Sequence, residues 1–299
     1  MLSEGSLRQE LLLLAAVVSG ALVALQQRLN GDLGSDLHDP LLAAVVSFGG
    51  GLVLMCALLL RPAARTSLRC LRAVPWWSRL GGLCGATLVA VGAVAAPEIG
   101  VALFTVGMVS GATVTALVVD RAGLGPGGRR ELTTPRLVGA LLCFAAIALS
   151  AREGLRAASL SLLVLVVAAG GLVSVQQALN GRVRGATDAT VATFVNFVVG
   201  TTALLAALAV QAAAGRVHAV HWPSGFWLYL GGPLGCAFIA VAAVAVSVLG
   251  VLRLGLAVTA GQLLGGVLLD LHRGVSAVTL VAVALTMVAV GVTGAGQRA

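Results

Sequence analysis

Residues 20–31 read GALVALQQRLNG, and residues 170–181 read GGLVSVQQALNG. At an offset of 150 they agree at eight of twelve positions, among them Gln26/Gln176, Gln27/Gln177, Asn30/Asn180 and Gly31/Gly181. The same offset, without a gap, pairs Trp77 with Trp227, Gly81-Gly82 with Gly231-Gly232 and Gly85 with Gly235. It also pairs Gly100 with Gly250, Gly111 with Gly261 and Asp120 with Asp270. Leu, Ala and Val match by chance in an apolar chain; paired Gln, Asn, Trp and Asp do not. The chain therefore reads as one duplicated unit, with a first copy at 1–152 and a second at 153–299.

Composition says where such a chain lives. Of 299 residues, 59% are hydrophobic and a further 39 are glycine, while only 10% are charged. A soluble domain carries about 25% charged residues. So few charges cannot cover a soluble surface of this size. A soluble enzyme, a disordered chain and a nucleic-acid-binding domain are excluded, although the net charge is +8. The mean hydropathy of +1.04 places most of the chain in lipid. The five cysteines form no ligand-spaced pair and read as small packing residues. The first apolar run, 11–25, is flanked by Glu4 and Glu10 and followed by no A-x-A site, so it reads as a retained helix.

The apolar runs divide into ten, about 9–27, 41–60, 77–96, 99–120, 135–151, 159–177, 189–211, 226–246, 249–270 and 275–294. Each is long enough for one crossing of roughly 20 residues. The breaks at 97–98 and 247–250 are the shortest. Five spans per unit is an odd number, so the second unit enters the membrane upside down. The expected fold is an all-α polytopic membrane protein of ten transmembrane helices in two inverted five-helix repeats.

The arginines test that expectation. Loops after spans 2 and 4 carry nine (Arg61, Arg65, Arg69, Arg72, Arg79, Arg121, Arg129, Arg130, Arg136), and the equivalent loops of the second unit carry two, Arg216 and Arg273. Positive residues mark the cytoplasmic side. Both termini are then cytoplasmic. Trp76-Trp77 and the group Trp222, Trp227 and Tyr229 read as interfacial belts on opposite faces.

Polar groups are costly in lipid, so those within spans suggest function. No Asp, Glu, Lys or His falls at mid-span, and no H-E-x-x-H, G-x-S-x-G or P-loop occurs. This argues against a proton relay, a voltage sensor and an intramembrane protease. A membrane-embedded enzyme would need a nucleophile, acid or metal cluster at one depth, and none is visible. No cofactor is expected.

Gln262, near the middle of span 9, is the central polar residue, and its counterpart is Ala112. Ser110, Thr113, Ser19 and Thr259 fall at comparable depth in spans 4, 1 and 9. Ser47 and Asn196, paired at an offset of 149, fall at similar places in spans 2 and 7. These seven residues are expected to bind a polar solute; the bland alternative is that each bonds within its own helix or joins two helices. Gln26, Gln27 and Asn30 lie near the outer end of span 1. By inversion Gln176, Gln177 and Asn180 lie near the inner end of span 6. They read either as two gates of one pathway or as helix-end caps and turns. Glu98, expected at the start of span 4, is either a carboxylate favoured by the helix dipole or a proton-coupling group. The acidic loop Asp32, Asp36, His38 and Asp39 reads as solvated. G-x-x-x-G pairs at Gly81/Gly85, Gly107/Gly111, Gly231/Gly235 and Gly261/Gly265 imply close helix seams.

These features together resemble the drug/metabolite transporter superfamily. The pattern Gly20, Leu22, Gln26 and Asn30, the run Pro75-Trp76-Trp77 before Gly81-Gly82, and Gly261-Gln262 with Asp270 are similar to its YdcZ-type, EamA-like branch of bacterial inner-membrane proteins. The first unit departs from that pattern at Gly111-Ala112. The resemblance implies a fused ten-helix transporter that exports a small organic metabolite or drug by alternating access, without ATP or a bound cofactor. Its expected partners are a small-molecule substrate and membrane lipid, not nucleic acid. A passive channel, a lipid scramblase and a non-transporting assembly subunit are the alternatives.

Overall fold

The computed structural model describes residues 4–124, 128–129, 133–151, 157–216 and 220–295. Every regular element among them is helical: α1 (Glu4–Asp36), α2 (Pro40–Leu58), α3 (Pro62–Arg69), α4 (Gly81–Ile99), α5 (Val101–Ala122), α6 (Thr134–Ala151), α7 (Ala157–Ala186), α8 (Ala189–Ala213), α9 (Gly231–Asp270) and α10 (Ala277–Ala295). The expected unit boundary at 152/153 lies outside the described residues.

Among those residues six helical segments are long and apolar enough to cross a membrane: Glu10–Asp36, Pro40–Leu58, Trp76–Ile99, Val101–Ala122, Leu160–Ala186 and Ala189–Ala213. The apolar stretches Thr134–Ala146, Phe226–Phe238 and Ala277–Val292 are shorter.

Local chemistry repeats between the halves. Asp39 caps α2 through Leu42 N (3.0 Å) and Asp188 caps α8 through Val191 N (2.9 Å). Short side chains that accept from the first free amides are the usual start signal of a helix. Single 3-10 turns, Trp76–Leu80 and Phe226–Leu230, lead into α4 and α9.

One break does not repeat. Gly100, at φ +80°, ends α4 and lets α5 begin at Val101. Pro97 just before it lacks an amide donor and weakens the last turn. Its counterpart is Ser247, and the equivalent helix continues as α9 instead of parting into two elements. A straight helix of that length would be about 60 Å long. Yet Gly231 lies against Asn30, while Asp270 faces Arg28, two residues away on α1. The helix therefore doubles back. The reversal falls between Ala245 and Ala257, which cluster together on Ala16.

The helices exchange partners between the halves. α1 makes its most extensive contact with α9, and α7 lies against α4 and α5. Glycines set both seams. A methyl group on Gly261 would overlap the Val17 carbonyl, and one on Gly111 would overlap the Val167 carbonyl. Gly20 stands likewise against Val258 O, and Gly170 against Met108 O. Each pair is related by the offset of 150. In lipid, such close approach replaces the hydrophobic drive that packs soluble helices. Between α2 and α8, Phe48 and Phe197 meet at 5.3 Å, each beside the glycine the other half supplies, Gly200 and Gly51.

Overpacking a tight seam costs roughly 1–3 kcal/mol. Gly111→Val and Gly261→Val are thus expected to lower the thermal midpoint by similar amounts. Gly49→Ala, at a position facing open space, is expected to leave it nearly unchanged; thermal unfolding of the purified protein in detergent checks this.

Candidate functional site

Two amide clusters stand out, one from each copy of the repeated motif. In the second, Asn196 of α8 accepts at Oδ1 from Gln176 Nε2 (2.8 Å) and from Asn180 Nδ2 (3.2 Å), both on α7. Gly81 and Gly85 of α4 give these amides room. Gln177 is exposed and takes no part.

The first cluster uses the equivalent positions. Asn30 of α1 is 1% exposed and Ser47 of α2 is 2% exposed. A methyl group on Gly231 of α9 would overlap Asn30 Oδ1 and lie 2.7 Å from Ser47 Oγ. Gln26 lies against Gly235. Gln27 is buried against Gly92 of α4. Among the described residues Asn30 Oδ1, Asn30 Nδ2, Ser47 Oγ and Gln27 Oε1 find no hydrogen-bond partner.

The clusters lie at opposite ends of α4. Gly81 touches Asn180, and Pro97, sixteen residues on, touches Gly31 beside Asn30. Sixteen residues of helix span about 24 Å. Ser47 and Asn196 thus sit with these end clusters, not beside Gln262 at mid-span: Asn196 bonds the α7 amides, and Ser47 faces Asn30 across Gly231.

Two of the four mid-span hydroxyls are satisfied within their own helix. Ser19 donates to Ala16 O (2.8 Å) and Thr113 to Val109 O (2.8 Å), each within its own helix. Ser110 is fully buried, with the Cys143 thiol of α6 as a polar neighbour. Thr259 lines a shallow cavity of about 110 Å³ between α9 and α10, otherwise edged by Ala260, Leu263, Met287, Val290 and Gly291. Gln262 is half-buried, with its backbone facing Gly20 of α1.

Glu98 is exposed and lies in the last turn of α4, not the first turn of α5. The favourable dipole expected for it is therefore reversed. Asp270, from the far end of α9, takes that capping role. It is 6% exposed and accepts at Oδ2 from Ala102 N of α5 (2.8 Å). Its other oxygen faces Arg28 Nη1 at 3.9 Å, and Arg28 also donates to Asp32 (2.9 Å). Arg273 donates to Pro97 O (3.2 Å) nearby. Sequence spacing does not give Asp270 this role; its pairing with Asp120 and the adjacent glycine break were the available hints. Asp120 itself pairs with Arg136 of α6, not with neighbouring Arg121. The acidic loop is engaged likewise, with Asp39 also accepting from Gln211 (2.6 Å).

The model of a family described as "Putative inner membrane exporter, YdcZ" matches residues 11–149 and again residues 161–296. The chain belongs to the YdcZ family. Its fold is also similar to that of a solved crystal structure described only as that of a protein, with 22% identity and a TM-score of 0.57, over 97% of this chain and 98% of the other. No curated protein matches it. In this YdcZ-family chain both amide clusters and both glycine seams lie within the matched stretches. Among the described residues no three His, Cys, Asp or Glu side chains are grouped to hold a metal ion.

The arrangement offers neutral hydrogen-bonding groups at two depths, joined by glycine-lined seams. Losing an N-cap costs about 0.5–2 kcal/mol. Asp270→Ala is expected to lower the thermal midpoint accordingly, while Asp270→Asn, which still accepts a hydrogen bond, keeps most of it; parallel unfolding curves of the two variants distinguish a cap from a charge effect.

Proposed function

We propose that this YdcZ-family protein is a secondary transporter that exports a small organic solute across the bacterial inner membrane by alternating access. Its ten spans form two five-helix units of opposite orientation, with both termini in the cytoplasm. The reversal of α9 supports counting two crossings there. The nine-to-two arginine imbalance between equivalent loops supports the inversion. The twofold match of one family model supports the two units.

The observation that carries the mechanism is the pair of related amide clusters about 24 Å apart along α4. A hydrocarbon core is about 30 Å thick, so each cluster sits near one face. Each joins a helix of one unit to the rim of the other: α1 to α9 and α7 to α4. Rocking one unit against the other loosens one cluster while tightening its counterpart. Gln26, Gln27, Asn30 and Ser47 form the outer gate, and Gln176, Asn180 and Asn196 the inner one. Gln262 orients the solute between them, with Ser110, Thr113, Ser19 and Thr259 lining the path. Glu98, exposed at the outer rim, is the remaining acid for proton coupling.

A thermal-shift screen of the purified protein against polar and amphiphilic metabolites tests this, followed by flux in proteoliposomes. Gln262→Ala is expected to weaken binding of the identified solute at least tenfold without changing the ligand-free midpoint. Normal binding by that variant removes the central role of Gln262. Flux without saturation or counterflow replaces the transporter with a passive pore.

A further inference from the structure

The two amide clusters carry the same residues except at one position. Where the second has Asn196, the first has Ser47. Asn196 reaches in with a carbonyl oxygen that takes both the Gln176 and the Asn180 amide protons. Ser47 carries a hydroxyl in place of the carboxamide, and that hydroxyl bonds neither partner.

The consequence is concentrated at one place. Asn30 and Ser47 are both more than nine-tenths buried, and all three of their side-chain polar atoms lack a hydrogen-bond partner among the described residues. Two of them, Asn30 Oδ1 and Ser47 Oγ, converge on Gly231: a methyl group there would touch both. A buried amide left unpaired is destabilising, so the cluster is suited to a group that brings both an acceptor and a donor. The side chains that meet at Gly231, and Gln26 one turn away, are uncharged. Arg28, two residues before Asn30, is engaged with Asp32 and faces Asp270.

We propose that Asn30 and Ser47, with Gln26, form the recognition site for an uncharged polar group of the carried solute, a carboxamide or a hydroxyl. That group occupies the place that the Asn196 amide fills in the other half. Asn30 Nδ2 donates to its oxygen, and Asn30 Oδ1 accepts its proton. Ser47 Oγ serves as either donor or acceptor. Only the statement that the ligand is carried rests on the transporter reading.

The test uses the full-length protein in nanodiscs and two isosteric probe pairs, nicotinamide with nicotinate and lactamide with lactate. Ser47→Asn supplies the missing amide from the protein itself. It is expected to raise the ligand-free midpoint by about 2–4 °C and to abolish the stabilisation that nicotinamide or lactamide gives the wild type. Ser47→Ala, a smaller residue that adds no bulk, is expected to weaken that stabilisation at least fivefold. Nicotinate and lactate are expected to have no effect. An equal shift in Ser47→Asn, a preference for the carboxylates, or a wild type indifferent to both neutral probes overturns the assignment. A probe that binds through Ser47 yet shows no saturable flux in proteoliposomes defeats the transporter reading and leaves the site standing.

Discussion

Backbone-to-backbone contact through glycine is the constraint on which the rest of this structure depends. In lipid, a leucine on a neighbouring helix is no better than an acyl chain, so association depends on dispersion contacts at close range. Gly20 against Val258, Gly261 against Val17, and their counterparts Gly170 and Gly111 bring pairs of helices near enough for that. Everything polar in the bundle follows from the same closeness. Asn30 and Asn180 reach a neighbouring helix only because Gly231 and Gly81 present no side chain in their way.

The ends of the bundle are fastened differently from its middle. At one end Asp270 caps α5 while Arg273 holds Pro97. At the other, Arg182 donates to the carbonyls of Gly123 and Leu124 and stacks over Trp77 at 5.0 Å. Arg79 there ties down the backbone of Leu71 and Val74. These are charge-assisted bonds to backbone, stronger than neutral ones. Between the two ends the described contacts are mostly apolar or confined to single helices. Such a bundle has charge-fastened rims and a seam-like middle.

Much of this was legible in the sequence, because apolar run length and the offset of 150 are strong signals. The helical class, the duplicated motif and the importance of the glycines follow from residue order alone. The membership of Ser47 and Asn196 in the end clusters did not, because depth along a span says nothing about which helix lies opposite. Glu98 was misplaced for a local reason: Pro97 looks like a first-turn residue, whereas the helix runs through it and stops at Gly100, where φ turns positive. Asp270 was missed because its partner, Ala102, is 168 residues away.

The exchange of α1 and α7 between the halves also bears on how the chain is made. Gly20 meets Val258, and Asn30 meets Gly231. α1 therefore meets its glycine-bearing partner α9 only after the helices between them have been synthesised. Until then Gln26 and Asn30 have no cover from α9. They must be sheltered by the insertion machinery, by water at the membrane surface, or by a provisional neighbour such as α2. A chain cut short before residue 231 would keep an intact α1 without the helix that closes over Gln26 and Asn30. Quality control in the membrane would then have a simple mark of an unfinished molecule: the carboxamides of Gln26 and Asn30 at one end of α1, open to lipid.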